Sequence, residues 1–443
     1  PQASTSGSTS VREGYGEVFI PLLAGKPFAE ALNLELGYRY SDYDSVGGVH
    51  TFKLNGEYAP TYWLRFRGGY QQANRAPNLG ELFTARTQTL RASADGDPCS
   101  TAIVTQPLGY GNYSANSALN TNAAKVLTLC QQLMTAEAVG QYYDQDRVFP
   151  TVGFNVPTLE VGARQLSEEK AKVFTLGAVI SAPTENPWLS GLNLAIDYYS
   201  ITITDGIALQ GADSVLRQCF SPIFNPNYEV NDACGRIRRD TENGNIELIE
   251  VNYANLGRVE TAGVDANLSW SLRFDDAGIG IPGRFSLNVN ATYVDKFATT
   301  PDQFVIPLTD WTGSTGGGEV GTQAGPFEWK LFARAGYTVG PATIGIQWQH
   351  YPSLVHSTTL ANTGAPTISG VPSYDLFNLN LRYEVNDTIR VRFGVDNLFD
   401  KAPPLTAFRL NDVLGDQTLP GGSFNVNHDT LGRRFYAGAT VSF

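Results

Sequence analysis

Apolar and polar side chains alternate along most of this chain, and the pattern is clearest between Thr61 and Phe83. In the first half of that stretch, large apolar residues occupy every second position, with Gly68 as the only gap, and polar residues with glycine occupy the positions between them: Tyr62, Leu64, Phe66 and Tyr70 against Arg65, Arg67, Gly69 and Gln71. Because successive side chains of a strand point to opposite faces, the pattern predicts a strand with one apolar and one polar face. Pro77 lacks an N–H donor and is expected to end its pairing.

The same alternation recurs in about thirteen segments, at 16–23, 31–43, 52–58, 61–71, 174–180, 192–198, 264–272, 285–293, 331–339, 344–348, 379–385, 389–395 and 435–443. Short connections are predicted at Ala59-Pro60, Gly340-Pro341 and Asn386-Asp387, and long ones over 75–165, 207–245, 297–327, 353–372 and 400–430. The part from about Asn78 to Gln165 shows no strand pattern. Strict alternation of short and long connections predicts an antiparallel up-and-down sheet with every long loop at one end.

Two fold classes have strands that alternate in this way, the soluble β-sandwich and the transmembrane β-barrel. Sandwich strands typically have about 5–6 residues, whereas many segments here keep their parity for about nine or more. Aromatic residues also recur at the ends of the apolar faces, as aromatic girdles at the two membrane interfaces would require. They are Tyr38, Tyr40, Tyr70, Tyr198, Trp270, Tyr293, Tyr337 and Trp348. The pattern favours an all-β, antiparallel up-and-down transmembrane barrel.

Composition narrows the possible partners. The formal net charge of -12 argues against a nucleic-acid partner, because phosphate binding requires a basic face. The sequence contains no run of 18 or more apolar residues that would predict a transmembrane helix, although a barrel strand needs only about 9–11 alternating residues. The chain opens with PQASTSGSTS and has a single methionine, Met134, so we interpret it as an internal or C-terminal piece of a longer protein.

The four cysteines lie in the two longest loops. They are Cys99, Cys130, Cys219 and Cys234, and pairing within each loop is the simplest of three possible connectivities. An oxidising compartment would allow the disulfides Cys99–Cys130 and Cys219–Cys234, each stabilising by roughly 3–4 kcal/mol on the chain-entropy argument. The alternative is a Cys₄ zinc site, against which the absence of any C-x-x-C spacing argues.

Catalytic motifs are absent from the sequence. None of the four histidines, His50, His350, His356 and His428, has the H-E-x-x-H spacing of a zinc hydrolase, and there is no G-x-S-x-G. The glycine-rich segment 313–321 lacks the lysine of a phosphate-binding loop. We therefore expect no enzyme, no metal and no cofactor, with an outer-membrane hydrolase as the remaining enzymatic alternative.

A hairpin is predicted inside the second long loop. Asn243-Gly244 lies between alternating flanks in the segment 236–249, RIRRDTENGNIELI. This hairpin could act as a flap that contacts a ligand or gates the barrel. Alternatively it could only stiffen the loop, which is the interpretation that we favour.

Several segments resemble, in the same order, the barrel of TonB-dependent outer-membrane receptors. They are GYGEVFIPLL, GYRYSDYDSVGGVHTFKLNGEYAPTYWLRFRGGYQQANRAPNLGELF, NYANLGRVETAGVDANLSW, VRFGVDNLFDKAPP and the terminal GRRFYAGATVSF. The most characteristic positions are the box Arg75, Ala76, Pro77, Asn78 and Leu79, and the later Asp396, Asn397, Leu398 and Phe399, followed by Asp400. Gly438, Val441 and Phe443 resemble the terminal signal read by the barrel-assembly machinery, although Ala437 stands where a polar residue is expected.

The resemblance implies a barrel of twenty-two strands with an N-terminal plug and a TonB-contacting box ahead of it. Thirteen strands ending at the last strand of the family would correspond to its tenth through twenty-second. We therefore expect residues 1–15 to be a polar leader and 16–443 to be the C-terminal portion of the barrel. Since thirteen is odd, the first and last strands should run parallel and expose their edges.

The function implied by the resemblance is TonB-energised uptake of a bulky, scarce nutrient across the outer membrane of a Gram-negative bacterium. The implied partners are outer-membrane lipid, a small-molecule ligand, the barrel-assembly machinery and, through N-terminal parts not recognised here, the TonB–ExbB–ExbD system. A passive porin-like channel is the runner-up, and a surface adhesion or phage-docking protein is the third class.

The ligand is only partly constrained by the sequence. Haem receptors of this family carry a histidine between the Arg-Ala-Pro box and the following Asn-Leu, whereas here Pro77 directly precedes Asn78. Siderophores, cobalamin, oligosaccharides and plant-type organic compounds remain. Loop aromatics are candidates for stacking on a sugar or an aryl group, and packing of the loops against one another is the alternative for each: Tyr110, Tyr142, Trp311 and Tyr351.

Overall fold

The computed structural model describes residues 4–93, 96–100, 113–115, 120–144, 154–305, 307–315, 325–356, 370–409, 418–423 and 428–442. Thirteen long strands form the wall of the molecule. They are β1 (Val11–Lys26), β2 (Ala29–Tyr43), β3 (Gly47–Thr61), β4 (Leu64–Arg75), β7 (Glu169–Ser181), β8 (Leu192–Leu209), β10 (Ile246–Arg273), β11 (Arg284–Thr300), β13 (Trp329–Val339), β14 (Ala342–Tyr351), β15 (Tyr374–Glu384), β16 (Ile389–Asp396) and β19 (Arg434–Val441).

Among the described residues of the connections there are six short strands and five helices. The strands are β5 (Thr87–Ser93), β6 (Phe154–Val161), β9 (Ile237–Arg239), β12 (Thr309–Asp310), β17 (Leu405–Arg409) and β18 (Thr418–Ser423). The helices are α1 (Leu79–Phe83), α2 (Ala123–Leu133), α3 (Ala136–Asp144), α4 (Ala212–Phe220) and α5 (Asp232–Gly235). Within the described residues, none of these helices has the length and apolarity needed to span a membrane.

Each long strand pairs antiparallel with the next long strand along the chain, from β1 to β19. In the part of the chain that the structure describes, β1 pairs only with β2, and β19 pairs only with β16. The two outermost strands run in the same direction, as predicted for thirteen strands. The result is a partial up-and-down barrel with two open edges, which confirms the predicted fold class.

The long connections emerge at one end of the wall, as predicted: 76–168, 210–245, 301–328, 352–373 and 397–433. We call this the loop end. The alternation is not strict, because β2 and β3 are joined at the loop end by only Asp44–Val46, held by hydrogen bonds from Thr9 and Ser10 to Asp44. Val441 pairs with Ile389 at the opposite end, where the short turns lie. Phe443 lies outside the described residues.

The two faces of the wall have different chemistry. Apolar side chains on the outer face are exposed although they are large; Leu176 is 54% exposed and Leu381 is 44% exposed. Aromatic pairs lie on the same face: the ring centroids of Phe52 and Tyr70 are 6.0 Å apart, and those of Phe174 and Tyr198 are 6.3 Å apart. Exposed apolar bands of this kind mark a surface that meets lipid or another protein.

The inner face carries a network of charges. Lys53 Nζ lies 2.8 Å from Glu35 and 3.1 Å from Glu17, and Arg67 donates to both carboxylate oxygens of Asp197, at 2.7 and 2.6 Å. Glu35, Arg67 and Asp197 line a groove of about 610 Å³ on this inner face. A polar, ion-paired interior behind an apolar exterior is the arrangement of an outer-membrane barrel.

Some predicted strand boundaries differ from the observed ones. The turn expected at Ala59-Pro60 lies at Tyr62 and Trp63 instead, so Tyr62 is not on the apolar strand face but 80% exposed in a turn. Pro60 has no N–H to donate, and the β3–β4 ladder accordingly shifts register between Tyr58 and Thr61 rather than ending there. At the N-terminus, β1 begins at Val11, within the predicted polar leader, and continues to Lys26, three residues beyond the predicted segment 16–23.

The prediction that 78–165 lacks strands was wrong. That stretch contains β5 and β6, which pair antiparallel with each other, and helices α1 to α3. Strand β6 in turn pairs parallel with the first residues of β10, from Ile249 to Asn252. Both strands are short and gain their partners from distant parts of the chain, so local alternation gives little indication of them.

Candidate ligand-binding face

The loop end carries a folded unit built from the two longest connections. We call it the cap and define it as β5, β6, β9, α2 to α5 and residues 246–252 of β10. Strands β5, β6, the start of β10 and β9 form a small sheet. Its core consists of fully buried side chains from both connections, including Val126, Leu129, Val215, Phe220 and Ile249. Strand β10 is therefore shared, with one part in the wall and another in the cap.

Both predicted disulfides are present in the cap core. The Cα atoms of Cys99 and Cys130 are 5.7 Å apart, and those of Cys219 and Cys234 are 5.0 Å apart. Each bridge closes one connection on itself, as the simplest connectivity requires. No cluster of metal-ligating side chains is found among the described residues.

A buried ion pair joins the two connections to each other. Arg239 donates from Nη1 and Nη2 to the two carboxylate oxygens of Asp97, both at 2.7 Å. The side chains are only 3% and 5% exposed, and Nη1 also donates to Gly244 O at 2.9 Å. A bidentate pair with an additional acceptor is the geometry in which a buried ion pair is best compensated for its desolvation.

The predicted hairpin at Asn243-Gly244 is present. Strand β9 pairs antiparallel with the beginning of β10, and Gly244 has φ 76°, a left-handed conformation that favours glycine. Because Arg239 of this hairpin is bound to Asp97, the hairpin is part of the cap framework. Its position accords with the stiffening interpretation.

The Arg75–Leu79 box anchors the first long connection to the wall. Arg75 ends β4 and binds two carboxylates, donating to Glu169 at the start of β7 and to Glu81 on α1. Asn78 Oδ1 accepts a hydrogen bond from Glu81 N at 3.0 Å, while the Glu81 side chain accepts from Asn78 N at 2.7 Å. This reciprocal capping box starts α1. The box thus fixes the direction in which the chain leaves the wall.

The Asp396–Phe399 motif forms a corresponding anchor near the C-terminus, and Asn397 is its centre. Asn397 is 1% exposed and has φ 53°, a conformation that asparagine tolerates better than most residues. Its side chain donates to Lys401 O and Asp429 Oδ2, both at 3.0 Å, and accepts from Lys401 N at 2.7 Å. Three hydrogen bonds from one buried amide therefore hold the start of this connection.

The other residues of the motif attach the same anchor to the wall. Asp396 lies beside Arg434 at the start of β19. Leu398 N donates to Phe377 O at 2.7 Å, and the Phe399 ring lies 5.4 Å from the Phe377 ring. The motif is therefore fixed both to β15 and to the last strand.

The terminal positions lie on the exposed edge strand. Gly438 is opposite Arg392 in the β16–β19 ladder, and a Cβ there would lie 2.8 Å from Arg392 Nε. Glycine therefore leaves room for the arginine side chain. Val441 is 48% exposed on the outer face. Recognition of these residues by assembly machinery stays a prediction.

The structure describes the side chains of two of the four loop aromatics, Trp311 and Tyr351. Tyr110 lies outside the described residues, and Tyr142 lies on α3. Trp311 is 3% exposed, a position that suits packing within the loops. Tyr351 ends β14, and its ring stacks on that of Phe327 at 4.9 Å. A ligand role for any of them stays a prediction.

A pocket with both polar and apolar lining residues, which the sequence did not indicate, lies where the cap meets the wall. Its volume is about 530 Å³, and its lining comes from β6, α4, β10 and the connections around them: Val161, Gly162, Gln210, Gln218, Arg236, Glu250, Asn252, Ala254, Leu256 and Phe304. We call it the Arg236 pocket. The residues come from four separate parts of the chain, so only the folded cap brings them together.

Burial and hydrogen bonding define the state of Arg236. Burial lowers the pKa of Arg236 from its usual value, while the nearby carboxylates of Glu250 and Asp232 oppose that change. Arg236 Nη1 donates to Gln210 Oε1 and to Asn252 Oδ1, both at 2.6 Å. One end of the guanidinium group is therefore held fixed against the lining of the pocket.

The fold and the loop end together define part of an up-and-down β-barrel of the outer-membrane type. A family profile described as TonB dependent receptor-like, beta-barrel, matches residues 1–398, and the chain belongs to that family. Its members are non-enzymatic transporters of the outer membrane of Gram-negative bacteria, which is accordingly the location of this protein. No curated protein sequence matches the chain.

Solved structures with the same fold include a siderophore receptor and a ferric enterobactin receptor whose chains are about twice as long. The siderophore receptor PirA from Acinetobacter baumannii matches with a TM-score of 0.52 and 14% identity, over 98% of this chain and 46% of that chain. A mutant of the ferric enterobactin receptor PfeA from Pseudomonas aeruginosa matches with a TM-score of 0.55 and 16% identity, over 98% and 45%. Another PfeA mutant, in complex with enterobactin, gives 0.55 and 16%, over 98% and 46%. The chain therefore spans about half the length of these structures.

Proposed function

We propose that this chain is the C-terminal part of the barrel of a receptor that imports a bulky, scarce nutrient, energised through TonB. The observation that supports this most strongly is the family match over residues 1–398. The nutrient would be of the siderophore, cobalamin or oligosaccharide type. The contact with TonB, ExbB and ExbD would lie N-terminal to this chain, in the plug and the segment before it.

The charged inner face supports a transport role. The paired groups Lys53–Glu35 and Arg67–Asp197 present fixed charges to a water-filled lumen or to a plug, whereas an adhesion protein would need only the loops. The folded cap supports a receptor rather than an open pore, because it holds a large part of the loop end in one arrangement. Outer-membrane lipid would contact the apolar outer face.

Uptake by cells that express the complete receptor tests the proposal. Accumulation of a radiolabelled ferric siderophore, cobalamin or oligosaccharide is measured with and without a protonophore, and in a strain that lacks TonB. We expect uptake of one of these ligands that is lost in both conditions. Uptake that persists without TonB and with the protonophore would instead identify a passive channel.

A further inference from the structure

We propose that the Arg236 pocket binds an organic anion in which planar oxygens adjoin an aromatic or apolar group, such as an aryl carboxylate. The proposal rests on the proposed function and specifies the chemistry that the same loop end recognises. Three observations support it: the hydrogen bonds of Arg236, the residues that line the pocket and the size of the pocket.

The guanidinium group of Arg236 retains donors for a ligand. Gln210 Nε2 donates to Ser214 Oγ at 3.0 Å, and Asn252 Nδ2 donates to Tyr253 O at 3.0 Å. These bonds orient both amide oxygens towards Arg236 Nη1, which uses its two N–H groups on them. Among the described residues, no hydrogen bond is formed by Arg236 Nε or Nη2. Three donors in a fixed planar fork are left, and this is the geometry that matches a carboxylate.

The acidic groups near the pocket leave this site open to an anion. Glu250 is the only carboxylate in the described lining, and Arg86 Nη2 lies 3.1 Å from its Oε2. Asp232 acts on Arg236 from the exposed start of α5 without forming an ion pair with it among the described residues. Partial burial of Arg236 reduces competition from water and strengthens a charge-assisted hydrogen bond.

Part of the pocket lining provides an apolar surface for the ring or acyl group. Phe304, Leu256 and Val161 line the pocket together with Arg236. The Phe304 ring is held edge-on against Phe224 at 4.8 Å, and Arg217 Nη1 donates to the carbonyl of the next residue, 305, at 2.7 Å, which fixes this segment. A volume of about 530 Å³ lies within the range of roughly 300–1,000 Å³ of small-molecule pockets. The pocket thus combines one oriented cation, Arg236, with a preformed apolar surface.

The test uses 19F NMR of the complete receptor in detergent with two probes of the same shape, 4-fluorobenzoate and neutral 4-fluorobenzamide. We expect 4-fluorobenzoate to bind more tightly than the amide. Arg236→Gln should weaken its binding by about tenfold to a hundredfold, the usual effect of losing a charge-assisted pair of hydrogen bonds. The matched control is Arg238→Gln, which removes the same charge from an exposed position in β9.

A second variant keeps the test decisive if Arg236→Gln disturbs the cap. Phe304→Ala leaves every charge in place and should weaken both probes by a similar factor, because it removes only apolar contact. Equal affinity of the two probes for the unaltered receptor, or equal 4-fluorobenzoate binding by the Arg236→Gln and Arg238→Gln variants, would overturn the proposal. Intact probe binding combined with uptake that does not require TonB would refute the proposed function instead, so the two failures are distinguishable.

Discussion

The wall and the cap are stabilised in different ways although β10 runs through both. The wall has its large apolar side chains on the outside and its charges on the inside, so its stability depends on backbone ladders and on contact with lipid. The cap has a buried apolar core, two disulfides and a buried ion pair, as a small secreted domain would. A single barrel chain can therefore contain a unit that obeys the rules of water-soluble domains.

Among substitutions that test this difference between wall and cap, we expect the largest effect from one that breaks the buried ion pair of Asp97 and Arg239. Arg239→Met would leave Asp97 charged and buried without its partner, which typically costs about 3–5 kcal/mol. We expect α2 and α4 to become susceptible to proteolysis while the wall strands stay resistant. The double variant Asp97→Leu with Arg239→Met should restore most of the resistance, because an apolar pair of similar volume often replaces a buried ion pair without loss. Equal cleavage of the single and double variants would contradict this account of the cap.

The two faces of the wall provide the next test. Leu381 is on the outer face, and Arg382, its neighbour in β15, is on the inner face opposite Arg392. Leu381→Arg would place a charge in lipid at a cost of roughly 2–4 kcal/mol near the midplane, whereas Arg382→Leu exchanges one lumen side chain for another. The folded fraction of the complete receptor, measured by heat-modifiable electrophoretic mobility, should fall only for Leu381→Arg. If both substitutions impair assembly alike, the assignment of faces is wrong.

A smaller effect is expected at the junction between wall and cap. Asn78→Ala removes the N-cap of α1 and should destabilise the first turn of the connection by about 1 kcal/mol. The rate of amide hydrogen exchange in α1 should rise about fivefold, because a loss of about 1 kcal/mol changes an equilibrium constant by that factor at room temperature. Asn78→Asp preserves the capping oxygen and is the matched control, so acceleration by Asn78→Asp as well would show that capping is not what holds α1.

The difference between wall and cap also explains which features could be predicted from the sequence. The thirteen wall strands follow from strict alternation, because one face must meet lipid and the other an aqueous lumen. The four cysteines could be paired from their placement in two loops. The box at Arg75 and the motif at Asn397 were recognised by resemblance, but only the structure shows that they anchor connections through Glu81, Glu169 and Asp429.

What the sequence did not predict depends on contacts between distant segments. Strand β6 pairs with both β5 and β10, and the alternation within β5 and β6 is too short to identify them. The Arg236 pocket combines β6, α4 and β10 with Phe304 from the next connection. Asp97 and Arg239 have the sequence context of ordinary loop charges. In each case the neighbouring sequence contains no pattern that predicts the feature. The residues come together only when the distant segments of the cap fold against one another.

Hydrogen exchange of the complete receptor before and after reduction tests the central claim, that wall and cap are separate structural units within one chain. Peptides from α2, α4 and α5 and peptides from β13 to β16 are followed by mass spectrometry in detergent. Reduction of Cys99–Cys130 and Cys219–Cys234 removes roughly 3–4 kcal/mol of constraint from each connection. The account predicts a large loss of protection in the helical peptides and none in the wall strands. Simultaneous loss in both sets, or no loss in the helices, would contradict it.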